Sequence, residues 1–314
     1  MESRKLISFG SSSYVISIPK SWIESNALKK GDSIYIEERP NELVLYTNST
    51  DQTRKPRELQ IDGSGKSIER LRVEIVSGYL RNFDLIEVRN LKEDAIVKVK
   101  EILQNLAGME IMEQTKAKLI AKDLINMNEL SIKVLMRRMD IILRSMLDDT
   151  ALSPTQENVN DIYQRDADLN RLYYLTKRIM FAALEEPKIA KALETTPLEI
   201  FTDLEVAVRL EKIGDQCKRI ARFLRQAKSN RYNHKEIVDL LTELKSRYLE
   251  AMKAYYSRDR ESAFDIEVNA DQLIDRCNKL NKNRCEHLIA MSEHLKAMAT
   301  SIRFIARAVA MYAD

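Results

Sequence analysis

The sequence predicts a multidomain α+β protein, with short β-strands at the N-terminus, a small α/β segment in the middle and an all-α C-terminal body. Three observations predict this fold class. The hydrophobic periodicity changes at about residue 59 and again at about residue 128. Glycine and proline number only 7 and 6, which favours long helices. The 314 residues exceed one ordinary domain and suffice for two or three.

Residues 1–48 are predicted to form four short strands around one short helix. KLISFG and SYVISIP alternate in β-forming residues and are joined by Gly10 and three serines. Pro19 begins the helix in PKSWIESN, Gly31 centres a turn, and SIYIEE and LVLYT supply the last two strands. A segment this short cannot bury much core by itself.

This order of elements resembles the AbrB/SpoVT swapped-hairpin DNA-binding domain, in which two chains interleave their hairpins to complete one β-barrel. The Gly10 turn, VISIPKSW (15–22) and ALKKGDSIYIE (27–37) carry the resemblance. It implies an obligate homodimer that contacts double-stranded DNA through basic residues near the first strand and turn. The DNA-binding residues expected on this basis are Arg4, Lys5, Ser11, Ser12, Lys20 and Arg39.

Charge gives this DNA prediction no independent support. The six basic residues of the segment are matched by six acidic ones. The formal net charge of +3 for the whole chain is also too small to indicate nucleic-acid binding. A barrel that serves only for dimerisation therefore remains the alternative.

The next two segments are predicted to be a linker and a small coupling domain. Residues 49–58 (STDQTRKPRE) are polar, and their basic cluster either adds phosphate contacts or is simply solvated. Residues 59–127 alternate strand-like runs, such as ELQI and DLIEVRN, with two helical runs, which indicates a small α/β layer. GSGK at 63–66 lacks the spacing of a phosphate-binding P-loop. The expected role is to couple the N-terminal domain to the helical body, with added dimer contacts.

From residue 128 the chain is predicted to be almost wholly helical. Six helices are expected, divided into two three-helix units, 128–228 and 229–314, with breaks at 153–154, 186–197 and 229–233. The predicted helix bounds are 129–149, 156–185, 197–227, 234–257, 259–285 and 288–313. Short loops between long helices make bundles the expected architecture.

The helix at residues 203–226 carries an apolar seam and, beside it, an acidic pair. The seam residues recur at steps of four and three, as is typical of a helix in a bundle: Val206, Leu210, Ile213, Cys217, Ile220 and Leu224. Glu211 and Asp215 lie off this seam about one helical turn apart, so their carboxylates can converge on one cation. The alternative is an ordinary solvated charged face.

A repeated pattern indicates an internal duplication. DADLNRL, from Asp166, and DQLIDRC, from Asp271, share an acid, an aliphatic residue, then Asn or Asp, then arginine. The polar positions of the first copy are Asp166, Asn170, Glu211 and Asp215. The corresponding positions of the second copy are Asp271, Asp275, Arg303 and Arg307.

The run RLEKIGDQCKRIA (209–221) resembles the third-helix motif of PhoU-type phosphate-homeostasis regulators, and the resemblance extends over about residues 128–314. It implies a double three-helix bundle whose acidic motifs bind iron or zinc clusters on the bundle surface. This chain departs from that pattern, because Asn170 replaces one acid and Arg303 and Arg307 replace two more.

These departures leave at most one expected metal site, for iron, zinc or another divalent cation, with Asn170 as a neutral ligand beside three acids. Oxygen ligands alone favour hard cations or iron over a structural zinc. The expected ligands are Asp166, Asn170, Glu211 and Asp215. In place of a second metal site, salt bridges are expected among Asp271, Asp275, Arg303 and Arg307.

Other features limit the classes of function. The three cysteines, Cys217, Cys277 and Cys285, form no C-x-x-C pair, so they are expected to be reduced core residues. The three histidines show no catalytic pattern, and no enzyme is predicted. The sequence shows no membrane-length apolar run and no signal peptide. A cytoplasmic protein that is not an integral membrane protein is therefore expected.

The combination of both resemblances is similar to archaeal phosphate-uptake regulators. It implies a DNA-binding transcriptional regulator of phosphate uptake and homeostasis, whose PhoU-like body senses a metal, a phosphate-linked ligand or a partner protein. The alternative is a PhoU-like modulator that does not bind DNA. Such a protein would dock a phosphate transporter or a sensor kinase, with its N-terminal domain serving only for dimerisation.

Overall fold

β-Hairpins form the start of the chain and helices most of the rest in the computed structural model. The structure describes residues 3–39, 41–47, 56–152, 156–226, 234–280 and 286–312. It divides into two compact units, Met1–Lys55 and Pro56–Asp314. Most of the predicted linker (49–55), the predicted breaks at 153–154 and 229–233, and Cys285 lie outside the described residues.

The N-terminal unit, Met1–Lys55, contains two antiparallel β-hairpins and one short helix. Its elements are β1 (Ile7–Phe9), β2 (Ser13–Val15), α1 (Lys20–Ser25), β3 (Ile34–Arg39) and β4 (Glu42–Thr47). β1 pairs with β2, and β3 with β4. Gly10 lies in the first turn with φ of +72°, a conformation that glycine adopts at no steric cost. The predicted strands and helix of this segment are confirmed.

This unit buries little apolar surface within one chain. None of the side chains described between residues 3 and 47 is buried. Phe9 and Tyr14 are 69% and 70% exposed, and Ile36 and Leu43 are both 64% exposed. Apolar patches of this kind are rare on monomers and mark interaction surfaces. The swapped barrel requires a second chain, so it stays a prediction.

A four-stranded sheet with two helices follows, as predicted. Its elements are β5 (Glu58–Asp62), α2 (Ile68–Leu80), β6 (Leu85–Arg89), α3 (Glu93–Gln104), β7 (Met109–Gln114) and β8 (Leu119–Asp123). The strand order is β5-β6-β8-β7, in which only β5 and β6 are parallel. Ser67 caps α2 by accepting a hydrogen bond from Arg70 N. The strands and helices enclose their own apolar core, which includes Ile75, Ile86 and Val99.

In the residues that the structure describes, the helical body contains six long helices in two groups of three. Its helices are α4 (Ile132–Ala151), α5 (Gln156–Glu185), α6 (Pro187–Ala192), α7 (Pro197–Gln226), α8 (His234–Ser257), α9 (Arg260–Lys279) and α10 (Glu286–Tyr312). Helices α4, α5 and α7 pack together, as do α8, α9 and α10, and the groups meet where α7 packs on α10. The double three-helix bundle is confirmed. The short α6 lies within a predicted break.

The apolar seam of α7 forms the centre of the body. All six predicted seam residues are buried, five of them completely and Leu224 with 7% exposure. Gly214 of α7 is also buried, against α5. A Cβ atom at Gly214 would lie 2.4 Å from Leu169 Cδ2, so glycine permits the close approach of the two helices.

The sheet and the helical body belong to one compact unit with two apolar cores. Helix α2 packs on α5, and Tyr174 of α5 contacts the core of the sheet. The domain boundaries at 48, 58 and 127 stay predictions.

Candidate functional site

The polar residues predicted to bind a metal lie on two adjacent helices, Asp166 and Asn170 on α5, and Glu211 and Asp215 on α7. A fifth residue, Lys218, lies between them. Its Nζ is 2.5 Å from Asp166 Oδ2 and 2.9 Å from Asp215 Oδ1. We call these five residues the α5–α7 cluster.

The other contacts of the α5–α7 cluster are weaker. Asn170 Nδ2 donates to Asp166 Oδ2 at 3.4 Å, and Arg219 Nη2 lies 3.7 Å from Asp215 Oδ2. Within the described part of the chain, Glu211 forms no hydrogen bond or salt bridge. The cluster therefore contains three carboxylates and one central ammonium group.

Burial and like charge raise the pKa values of two carboxyl groups in this cluster, Asp166 and Glu211. Burial raises the pKa of Asp166, and hydrogen bonding to Lys218 offsets part of this effect. Burial also raises the pKa of Glu211, and the charges of Asp215 and Asp166 raise it further. Burial alone would lower the pKa of Lys218, but its hydrogen bonds to Asp166 and Asp215 raise it. The ammonium group is thus held firmly in its charged form.

This geometry does not bring the predicted ligands together as a metal-binding set. Among the described residues, no group of three or more histidine, cysteine, aspartate or glutamate side chains is placed to hold a metal ion. Lys218 Nζ lies where a cation would bridge Asp166 and Asp215, so a metal would have to displace it. Metal binding therefore stays a prediction. Lys218 follows Asp215 by three positions, a spacing that could have indicated the pair.

The equivalent positions of the second bundle form an ion-pair network, which we call the α9–α10 cluster. Arg303 Nη1 donates to Asp271 Oδ1 at 2.9 Å, and Arg303 Nε donates to Glu267 Oε1 at 3.0 Å. Arg307 also pairs with Glu267. Sequence reasoning missed Glu267, which lies one turn before Asp271 on α9. Asp275, predicted to join these salt bridges, forms none with the residues that the structure describes.

The residues predicted to bind DNA are distributed over the N-terminal unit. Arg4 and Lys5 precede β1, whereas Ser11 and Ser12 form the turn after it, so the two pairs lie at opposite ends of the hairpin. All four are exposed. The two remaining residues are Lys20, which begins α1 with its Nζ 3.4 Å from Glu24, and Arg39, which ends β3.

A buried arginine that sequence reasoning missed joins the sheet to the helical body. Arg178 of α5 is 1% exposed. Its Nε donates to Asn82 Oδ1 at 3.0 Å, and its Nη2 donates to Asp123 Oδ2 at 2.6 Å. Its guanidinium also lies 4.5 Å from the centre of the Tyr79 ring. The signal in the sequence was an arginine within the largely apolar run 175–183 (LTKRIMFAA).

By fold and site, the chain combines a β-hairpin unit that exposes apolar side chains with a body of sheet and paired three-helix bundles. Residues 7–53 match the family described as "Antidote-toxin recognition MazE, bacterial antitoxin". Residues 136–224 match the PhoU domain family. The chain is thus similar to an AbrB/MazE-like domain at one end and to a PhoU domain at the other, and both predicted resemblances are confirmed.

Among solved structures, this chain is similar to the crystal structure of PhoU from Pseudomonas aeruginosa. The two share 14% sequence identity, and the match covers 58% of this chain and 91% of that chain with a TM-score of 0.46. None of the curated proteins matches this chain significantly.

The two family matches indicate a type of domain at each end of the chain. The N-terminal match indicates a DNA-binding type of domain, and the PhoU match indicates a connection with phosphate homeostasis. Both families are regulatory and not catalytic. Within the described residues, no helix has the length and apolar character needed to cross a membrane.

Proposed function

We propose that this protein is a cytoplasmic, homodimeric transcriptional regulator of phosphate uptake. The N-terminal units would hold DNA, and the helical body would respond to a ligand or a partner protein. The family matches at the two ends of the chain support this combination of roles.

The observation that carries the proposal is the exposed apolar surface of the N-terminal unit. Ile7 and Val15 are cross-strand neighbours in the first hairpin, and both are exposed. Tyr35 and Ile36 of β3 are exposed as well. A second copy that interleaves its hairpins would cover these side chains and provide the core that one copy lacks.

The exposed basic residues before β1 supply the DNA contact. A dimer presents two copies of Arg4 and Lys5, and two-fold proteins bind paired half-sites. Each phosphate contact contributes about 0.9 to the slope of log affinity against log salt concentration. Loss of both residues from both chains would therefore flatten that slope by about 3 to 4 if each one contacts a phosphate.

The decisive experiment recovers sheared genomic DNA on the purified protein at moderate salt and sequences it. We expect a paired motif upstream of phosphate-transport genes. Fluorescence anisotropy on that motif should then show weaker binding and a flatter salt dependence for Arg4→Ala/Lys5→Ala. Lys29→Ala/Lys30→Ala removes the same charge from an exposed turn and is the matched control. Equal losses in both double variants would show that only net charge matters.

A second candidate is a regulator that docks a phosphate transporter or a sensor kinase and does not bind DNA. The exposed apolar residues of α4 favour it, because Val134 and Ile141 lie seven positions apart on one face and are 55% and 63% exposed. A wild-type protein that dimerises but recovers no DNA at any salt concentration would support this candidate and reject the first.

A further inference from the structure

A cavity opens at one end of the helical body, where α4 and α7 begin and α8 ends. Its volume is about 580 Å³, within the usual range for sites that bind small molecules. Its walls come from both bundles, since α4 and α7 belong to the first group and α8 and α10 to the second. The α5–α7 cluster contributes no residue to it.

One wall of this cavity is basic. Lys133 and Arg137 line it from the first two turns of α4. Among the described residues neither forms a salt bridge, although Arg137 lies 4.7 Å from the centre of the Tyr256 ring. Ser131, which caps α4, lines the same wall. The first backbone N–H groups of a helix have no partner within the helix and favour negative charge.

The acidic residues of the opposite wall already have partners. Glu199 forms a salt bridge with Arg258 and accepts a hydrogen bond from Thr196 N at 2.9 Å. Asp203 accepts a hydrogen bond from the Tyr255 hydroxyl at 2.5 Å. Burial raises the pKa of Asp203, and the hydrogen bond from Tyr255 offsets part of this effect.

The two walls therefore differ in charge, because the acidic wall is largely paired and the basic wall is not. The remaining acid of the lining, Glu194, is exposed in the loop between α6 and α7. Lys133 and Arg137 thus present about two positive charges to the cavity without a carboxylate in a salt bridge with either. Apolar side chains complete the lining, among them Met136, Leu198 and Val309.

We propose that this cavity binds a small phosphate monoester. A phosphate monoester carries a charge of about −1.5 to −2 near neutral pH, which matches the two cations of the α4 wall that form no salt bridge among the described residues. Arg137 can donate two parallel hydrogen bonds to phosphate oxygens. The organic part of the ligand packs on the apolar lining. This inference deepens the proposed function by giving the helical body a ligand class, and ligand binding is measurable without DNA.

The test is isothermal titration calorimetry on the full chain, with glucose 6-phosphate and AMP as the two ester probes. We expect at least one ester to bind, and Lys133→Ala and Arg137→Ala each to weaken its binding by about tenfold or more. Arg138→Ala is the matched control, because Arg138 is exposed on the same helix but does not line the cavity. It should leave the affinity unchanged.

Separate titrations with inorganic phosphate and citrate identify the chemistry that is recognised. The proposal is overturned if neither ester binds, if Arg137→Ala binds like the wild type, or if only phosphate or citrate binds. Lys133 and Arg137 are exposed, so their variants should keep the wild-type circular dichroism spectrum. A protein that binds an ester but no DNA retains this inference and loses only the proposed function.

Discussion

Equivalent helix positions carry different sets of charged side chains in the two halves of the helical body. In the α5–α7 cluster, the ammonium group of Lys218 pairs with Asp166 and Asp215, and Glu211 has no ion-pair partner among the described residues. In the α9–α10 cluster, two guanidinium groups face Glu267 and Asp271. The first cluster therefore has more carboxylates than ammonium groups, whereas in the second two carboxylates pair with two guanidinium groups. We therefore expect the first cluster to be more sensitive to ions and pH than the second.

The largest expected effect follows from removing the ammonium group of the α5–α7 cluster. Lys218→Met leaves the buried Asp166 carboxylate without its cation, and we expect a loss of about 2 to 3 kcal/mol in the free energy of unfolding. Urea denaturation followed by circular dichroism measures it. Lys212→Met, at an exposed position of the same helix, is the control and should cost less than about 0.5 kcal/mol. Equal effects would show that Lys218 is an ordinary surface residue.

The α9–α10 cluster should lose stability when its shared acceptor is neutralised. Glu267→Gln weakens the contacts to Arg303 and Arg307 together, and we expect a loss of about 1 to 2 kcal/mol in urea denaturation. Asp275→Asn is the matched control, because Asp275 forms no salt bridge among the described residues. A larger effect from Asp275→Asn than from Glu267→Gln would contradict the described pairing.

Divalent cations should distinguish the two clusters once the ammonium group is removed. Lys218→Ala frees the carboxylates of Asp166 and Asp215, so we expect Mn²⁺ to bind this variant about tenfold more tightly than wild type, equivalent to about 1.4 kcal/mol. Electron paramagnetic resonance of free Mn²⁺ measures the binding. Adding Asp215→Asn should abolish the gain, whereas adding Asp271→Asn should leave it. A gain that survives Asp215→Asn would place the cation elsewhere.

The smallest expected effect is a pH-dependent gain in stability. Burial, and then the charges of Asp215 and Asp166, raise the pKa of Glu211 above its usual value. Between the usual and the raised pKa the folded protein binds more protons than the unfolded chain, so this group's contribution to stability falls as pH rises. Glu211→Gln removes that loss and should stabilise the protein by up to about 1 kcal/mol at pH 7.

The stabilisation by Glu211→Gln should shrink as pH falls below the usual pKa of glutamate, where the wild-type carboxyl becomes protonated in both states. Thermal denaturation at several pH values measures this trend. Asp168→Asn, at an exposed position of α5, should show no comparable gain. A gain that stays constant with pH would mean that Glu211 does not titrate in this range.

Local periodicity predicted most of the fold, because the seam of α7 repeats over more than four turns of a single helix. Helix α6 was not predicted, because a six-residue helix after Pro187 is too short to show a seam. Of the α5–α7 cluster, the acids were predicted from their spacing. Lys218 was missed because only the packing of α5 on α7 brings it 2.5 Å from Asp166, which is 52 positions away in the sequence.

Polar contacts between residues far apart in the sequence could not be predicted, for the same reason. Arg178 meets Asn82 and Asp123 across 96 and 55 positions of sequence. Glu267 follows no motif, and its role depends on how α9 and α10 are rotated against each other. The cavity beside Lys133 is likewise formed by helices from both bundles, so no single stretch of the chain indicates it.

The contact of Arg178 with the sheet links helix α5 mechanically to that sheet. Twelve positions separate Asp166 from Arg178, or about 18 Å of helix. Pulling Arg178 from Asp123 would leave a buried charge without its counter-ion, at a cost of about 3 to 5 kcal/mol. This cost couples the sheet to α5. We therefore expect a displacement of α5 at the α5–α7 cluster to be accompanied by a displacement of β8 and, through the sheet, of β5.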